Sequence, residues 1–428
     1  MLAALGPGLA ACPGVRVLML SWEYPPLVVG GLGRHVDALS RQLVAAGHDV
    51  CVITRGDGES PSDEVRDGVR IRRAATDPID IGFTTESLLA WSQAAEHAFV
   101  RAALPVVRRW RPDVIHAHDW LVTQTAITVA GVTGCPIVTT IHATETGRHQ
   151  GWLPAPLNRA IHSVERWLVH ESAALITCSG FMRDEVTRSL QAEPELVHIV
   201  PNGIEAAIWR SSPAARRAAR ARYQDPGAPL IVFAGRLVHE KGVQTILAAL
   251  PTLRARHPGL RLVVAGSGPY EAQLRDRARV LRVSRAVSWT GFVGDVELAA
   301  LLGAADALVV PSLYEPFGLI ALEAAAARAP RAVADTGGLR DLIDANLTGV
   351  RFAPGDPRAL AEAVHGLLSD PLRTTRMTAR AARAVHRDFG WAAVAARTAG
   401  VYAEACGTLP AGGSSHWPVR SADSTVRR

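Results

Sequence analysis

The sequence predicts an α/β protein of two doubly wound domains, and three observations lead there. Short apolar, β-branched runs alternate with amphipathic helical stretches, which pairs the runs in parallel and covers both faces of a sheet. The alternation stops near the middle of the chain and then restarts. The length, 428 residues, is too much for one ordinary domain and suits two of about 200. At 48% hydrophobic and 20% charged residues the chain can bury a core, which excludes wholesale disorder.

The elements follow in order. Residues 1–14 (MLAALGPGLAACPG) are apolar but lack a cationic segment, so they read as a disordered extension or an over-called start, not a signal peptide. Val15 to Leu20 is the first strand, followed by the loop Ser21–Gly33 and a helix from about Arg34 to Ala46. Gly47-His48 stops that helix, and Asp49 to Thr54 is the second strand. Val114–His118, Ile137–Ile141 and Ala174–Cys178 are further short buried strands, and Pro201-Asn202-Gly203 is a turn that ends the first domain, 15–205. An arginine- and alanine-rich stretch, Ser211–Arg222, precedes the restart at Leu230–Ala234. Leu260–Ala265, Val287–Trp289, Ala307–Val310 and Arg331–Ala334 then complete a second domain, 206–390. A last amphipathic helix over 391–407 can cross back to the first domain, and the Gly/Ser-rich tail, 408–428, reads as disordered. Two such domains face each other across a cleft, with ligands at the carboxyl ends of the strands.

Composition removes several classes of function. A net charge of +6, from 46 basic and 40 acidic residues, is too mild to argue for nucleic acid. Arg210–Arg222 lacks interleaved aromatics and reads as a surface helix, so no nucleic-acid partner is expected. No apolar run reaches the roughly 18 residues that a membrane span requires. The five cysteines show no CxxC and no metal spacing, as reduced thiols of a cytoplasmic protein would. Lys241 is the only lysine in a chain whose other basic residues are all arginine, which asks what arginine cannot do there.

Six motifs carry chemistry. Gly30-Gly31-Leu32-Gly33 lies between the first strand and first helix, where glycine lets backbone N–H groups approach an anionic or polyhydroxyl ligand. It is not GxGxxG, and no acidic residue closes the second strand as a dinucleotide ribose would need; a tight structural turn would use the same glycines. His116-Ala117-His118-Asp119-Trp120 ends a strand facing the cleft. Its two histidines share one face without an evident third ligand, so no metal is expected; Asp119 and Trp120 suit a sugar. His142 and Glu145 lie in a second polar cluster at a strand end, Thr140–Glu145. Arg236 and Lys241 are five apart in a strand-to-helix loop and can converge on one diphosphate, a planar fork beside a compact ammonium. Glu315-Pro316-Phe317-Gly318-Leu319-Ile320-Ala321-Leu322-Glu323 is the sharpest signal. Its loop opens a helix whose Gly318, Leu319 and Ile320 N–H groups are free for a phosphate, and its two glutamates reach different parts of one elongated ligand. Thr336-Gly337-Gly338-Leu339 repeats the glycine-loop device one strand later.

Together, the Glu315/Glu323 pair, the Arg236/Lys241 spacing, Gly30-Gly31 and the Pro201–Gly203 hinge resemble family 4 retaining glycosyltransferases of the GT-B fold, over roughly Val15 to Ala405. Ser21–Pro26, His116–Trp120 and Thr336–Leu339 look like its glycogen and starch synthase branch, and the whole chain looks like actinobacterial α-1,4-glucosyltransferases of glycogen and methylglucose lipopolysaccharide synthesis. The resemblance implies a nucleotide-sugar donor held mainly by the second domain and a glucan or glucosylated lipid acceptor on the first. It implies that Arg236 and Lys241 neutralise the diphosphate and that Glu323 accepts the ribose hydroxyls. It places Glu315 at the donor sugar, His142 near the anomeric carbon, and Val293 at the base through its backbone. Gly31, Gly33, Gly318, Leu319 and Ile320 would line the donor, Asp119 and Glu145 the acceptor. No cofactor or metal is implied, because Arg236 and Lys241 fill the charge role. Two positions depart from the pattern. Val28 stands where glycogen synthases carry a lysine, so UDP- and ADP-glucose both stand as donors. Arg328 stands where the family has a helix-terminating glycine, a left-handed position that costs another residue roughly 1 kcal/mol. A GDP-mannose-dependent mannosyltransferase with a peripheral membrane face at Arg101, Arg108, Arg109 and Arg111, a nucleotide-sugar 2-epimerase, and a non-catalytic sensor are the rival expectations.

Overall fold

The computed structural model describes residues 14–407 apart from 29, 59, 76–78, 83, 85 and 226. The N-terminal extension and the 408–428 tail lie outside the described residues. Among them, two sheets form. The first has eight strands: β1 (Arg16–Ser21), β2 (Asp49–Arg55), β3 (Ser62–Arg66), β4 (Val69–Ala74), β5 (Val114–His118), β6 (Ile137–Ile141), β7 (Ala174–Thr177) and β8 (Val197–Ile199), in the order β3-β4-β2-β1-β5-β6-β7-β8. The second has six: β9 (Leu230–Ala234), β10 (Arg261–Ala265), β11 (Val287–Gly291), β12 (Ala307–Val310), β13 (Arg331–Ala334) and β14 (Val350–Phe352), in the order β11-β10-β9-β12-β13-β14. Every pairing is parallel except β3 with β4.

The central strands are apolar throughout because helices cover both faces, and Val17–Leu20 and Leu230–Val232 are fully buried. The Gly31–Ala45 helix begins earlier than its periodicity predicts, inside the glycine motif itself. Four strands escape the sequence reading. β3 and β4 form an edge hairpin whose outer strand, Ser-Asp-Glu-Val-Arg, is almost wholly exposed and carries no apolar alternation. β8 and β14 have three residues each, too few to show a period.

The Trp391–Gly407 helix packs on the first domain: Val394, Val401 and Tyr402 share a buried cluster with Val36, Leu39 and Leu43 of the Gly31–Ala45 helix. A second cluster runs through both domains, joining Ile141, Met182 and Val186 to Val310, Phe317 and Leu322. Arg328 does sit in the left-handed region, at φ 61°. No helix among the described residues is long and apolar enough to cross a membrane.

Candidate active site

In the second sheet the strand order reverses between β9 and β12, so the loops leaving them diverge over a crevice at their carboxyl ends. Leu313 N–H donates to Glu240 O at 2.7 Å and ties the two loops together. Across this crevice Lys241 Nζ donates to Glu315 Oε2 at 2.7 Å, and Ser312 Oγ donates to the same oxygen at 3.0 Å. The Glu315 side chain is 9% exposed and the Lys241 side chain 22%, so the pair is only partly screened by water. Arg236 is exposed and its guanidinium has no hydrogen-bond or ion-pair partner among the described residues.

Two glycines fix this wall. Gly318 adopts φ 101° and opens the Leu319–Ala326 helix without a side-chain cap, leaving its leading N–H groups to a ligand. Gly337 adopts φ 54°, and a Cβ there would stand 2.0 Å from Glu315 O, the carbonyl to which Gly338 N–H donates at 2.9 Å. Any side chain at Gly337 would therefore displace the Glu315 loop. Further along the helix, Glu323 is half-buried and unpaired among the described residues; burial pushes its carboxyl up to about 7. Val293, just past β11, is half-buried against the cluster that underlies this wall.

In the first sheet the order reverses between β1 and β5, and the glycine loop after β1 lies beside the end of β5. Glu23 Oε2 accepts from Gly30 N–H at 2.9 Å and shapes that loop. The Gly31–Ala45 helix likewise has no side-chain cap, and a Cβ on Gly31 would lie 3.3 Å from Leu319 Cδ1. Two uncapped helix starts thus abut across the cleft, each presenting its positive end. Gly33 lies within the first turn of its helix, packed against Val28 and Glu23.

Three imidazoles form the floor of this wall. His118 Nδ1 and His142 Nε2 are 3.1 Å apart, and the His35 and His142 rings meet edge to face with centroids at 4.8 Å. His35 Nδ1 lies 2.8 Å from Asn202 Oδ1 and donates to it. Burial holds His35 and His118 well below the ordinary histidine range and lowers His142 to about 4, so all three are neutral at pH 7. His116 is spent on structure, between Tyr402 Oη and Thr140 Oγ1, both at 2.7 Å.

The two acidic residues expected at the acceptor have partners of their own. Asp119 Oδ1 accepts from the His142 N–H at 2.7 Å, and burial pushes its carboxyl up to about 6. Glu145 is buried; its Oε1 accepts from Asn158 Nδ2 at 2.5 Å and lies 3.3 Å from His149 Nε2. Both carboxylates are bonded within the first domain, where Asp119 holds the backbone of His142.

Direct contacts lock the walls together. Ser179 Oγ donates to Pro316 O at 2.7 Å, Gly180 N–H to Asp341 Oδ2 at 2.9 Å, and Tyr314 Oη to Glu185 Oε1 at 2.8 Å. Arg34 and Asp295 form an ion pair at 3.0 Å across the cleft rim. The structure therefore gathers Arg236, Lys241, Glu315, Gly318, Leu319, Ile320 and Glu323 on one wall, and Gly31, Gly33, Asp119 and His142 on the other. Sequence reasoning missed His35, Asn202 and Tyr314. For His35 a signal existed: it falls in register with Leu39 and Leu43 on the buried stripe of its helix, where a polar residue needs a reason.

The family described as Glycosyl transferases group 1 matches residues 216–384, and Glycosyltransferase Family 4 matches residues 29–207. The chain is 48% identical over 399 residues to a protein of Mycobacterium tuberculosis named glycogen synthase, covering 91% of this chain and 94% of that one. It is 33% identical over 424 residues to the D-inositol 3-phosphate glycosyltransferase of Kineococcus radiotolerans, covering 91% and 95%. Among solved structures, the sucrose-phosphate synthase of Thermosynechococcus elongatus superposes with a TM-score of 0.78 at 24% identity, over 91% of this chain and 98% of that one. With two parallel-sheet domains closed on one cleft and these relatives, the chain belongs to the family 4 glycosyltransferases and is a glycosyltransferase of the GT-B fold.

Proposed function

We propose that the chain is a retaining α-1,4-glucosyltransferase that moves glucose from UDP- or ADP-glucose to the non-reducing end of a glucan, glycogen or a methylglucose lipopolysaccharide precursor. The observation that carries this reading is the Lys241–Glu315 pair at the β9/β12 switch point, beside an uncapped helix start and facing a neutral histidine wall. The identity to glycogen synthase supports the glucan acceptor.

The donor diphosphate sits at the two helix starts, against Lys241, Arg236 and the N–H groups of Gly318, Leu319 and Ile320. Gly31 and Gly33 let the first domain close on it, Val293 meets the base, and Glu323 accepts from the ribose hydroxyls. Glu315 keeps one carboxylate oxygen for the donor sugar while the other holds Lys241. The bond from the anomeric carbon to the phosphate oxygen breaks as an acceptor hydroxyl oxygen bonds to the same face of that carbon. The hydroxyl proton passes to the departing phosphate oxygen, whose charge Lys241 and Arg236 stabilise. His142, held neutral, lines the reacting centre without competing for that proton, and Asp119 positions it through its backbone. Glu145 supports the acceptor side through the Pro156–Glu171 helix. No metal or cofactor enters the reaction, which takes place in the cytoplasm.

The test is nucleoside diphosphate release from UDP-, ADP- and GDP-sugars, each with and without maltooligosaccharide or glycogen. Release from UDP- or ADP-glucose only with acceptor is expected, and the faster donor shows what Val28 changes. Release confined to GDP-mannose contradicts the glucan. Sugar isomerisation in the donor-only arm contradicts transfer.

A further inference from the structure

One nitrogen from each of His35, His118 and His142 lies within 4.8 Å of the other two, the one such group of three potential metal ligands among the described residues. The sequence brings His116 and His118 together and offers no third ligand; folding excludes His116, whose nitrogens are both taken, and supplies His35 and His142 instead.

The set has the features of a ligand group. Imidazole nitrogens sharing a tetrahedral ion at about 2.0–2.1 Å stand roughly 3.3 Å from each other, and the His118–His142 pair is already at 3.1 Å. Asn202 takes the Nδ1 proton of His35, which fixes the ring and leaves Nε2 with a lone pair, the usual way an outer residue prepares a histidine ligand. His118 is fully buried, and Nδ1 is its nitrogen that faces the group: it shares one proton with His142 Nε2, which an entering ion would displace. His142 is only half-buried and gives an ion a way in from the cleft.

We propose that His35, His118 and His142 bind one divalent transition-metal ion of the zinc class, reversibly, and that the bound ion arrests turnover by occupying His142. Three imidazoles with no carboxylate in the set select zinc, copper or nickel over magnesium or calcium. Three protein ligands leave a fourth position for water or a donor oxygen. Binding stands on the imidazole geometry alone; the arrest rests on the placement of His142 at the reacting centre proposed above.

The experiment strips the full-length protein with a chelator and titrates it with zinc chloride against a chromophoric competitor. Cobalt chloride then replaces zinc for a visible spectrum. One tight zinc per chain is expected, with the intense ligand-field bands of a four-coordinate cobalt site. His35→Gln and His118→Gln should each weaken binding by at least about 10-fold. His365→Gln, which removes one partner of the remote His257–His365 contact at 2.9 Å, should leave it unchanged. Zinc should suppress nucleoside diphosphate release, and EDTA should restore it. An absent cobalt band in the unaltered chain, or loss of binding in the His365 variant instead of the other two, overturns the site. Stoichiometric zinc with undiminished turnover overturns the arrest. The cobalt spectrum needs neither a variant nor the right sugar, so it decides the site even if a glutamine variant misfolds or the glucan reading fails.

Discussion

On the second-domain wall of the cleft, Lys241 and Ser312 converge on one Glu315 carboxylate oxygen within 3.0 Å, with an open helix start beside them. On the first-domain wall, His35, His118 and His142 are packed ring to ring and kept uncharged by burial. One wall concentrates charged side chains, and on the other the three imidazoles are neutral. A diphosphate leaving group needs the first, because its negative charge grows as the sugar departs. The sugar is better served by the second, since a protonated imidazole there would add a cation beside a carbon that is itself becoming positive. In the proposed reaction the cleft thus divides by function, and its walls can be disturbed separately.

The largest effect is expected at the charged wall. Lys241→Ala should lower kcat by about 10²–10³-fold, the scale of one lost preorganised charge-stabilising contact, while the melting temperature stays nearly constant. Lys241→Arg should recover only a small part, because a planar fork does not fit where an ammonium meets Glu315 Oε2 at 2.7 Å. Near-normal kcat in Lys241→Ala would break the division between the walls.

Glu323 comes next and gives a pH signature. In the proposed reaction its ionised form accepts from the ribose hydroxyls, and burial raises its carboxyl to about 7. Donor KM should therefore fall as pH rises through about 7, and Glu323→Gln should raise KM about 10-fold and flatten that dependence. His142, lowered to about 4, should contribute no limb to the kcat profile above pH 5. A kcat limb near pH 6.5 that His142→Asn removes would show the neutral wall to be charged.

Two smaller effects address support. Tyr402→Phe removes a buried partner of His116 Nδ1 at 2.7 Å and should cost about 1–3 kcal/mol in denaturant unfolding, with little change in kcat. Arg34→Ala breaks the ion pair at the cleft rim, where both side chains are more than a third exposed. Its effect on donor KM should stay within a few-fold and shrink in high salt, as about 0.2–1 kcal/mol implies.

The charged wall was the more legible half in the sequence. Arg236, Lys241, Glu315 and Gly318 lie in loops directly after short apolar runs, and a doubly wound sheet brings loops after β9 and β12 together whatever their distance in the chain. The histidine wall depends on side-chain packing between distant segments. His35 comes from a helix, Asn202 from the turn after β8, and Tyr402 from the last helix, and no spacing rule joins them. For Asp119 and Glu145 the strand-end position was legible and the partners were not: the His142 backbone N–H donates to one carboxylate and Asn158 to the other. The β3–β4 hairpin was missed because an exposed edge strand needs no apolar alternation to pair.

In the proposed reaction both walls act on one anomeric carbon to transfer glucose with retention. The most direct measurement is proton NMR of the product formed from UDP- or ADP-glucose and a short maltooligosaccharide, followed from the first turnovers. A new α-1,4-linked glucose at the non-reducing end is expected, appearing in step with nucleoside diphosphate and absent in Lys241→Ala. A β-configured product, or the same α product at full rate from Lys241→Ala, would contradict it.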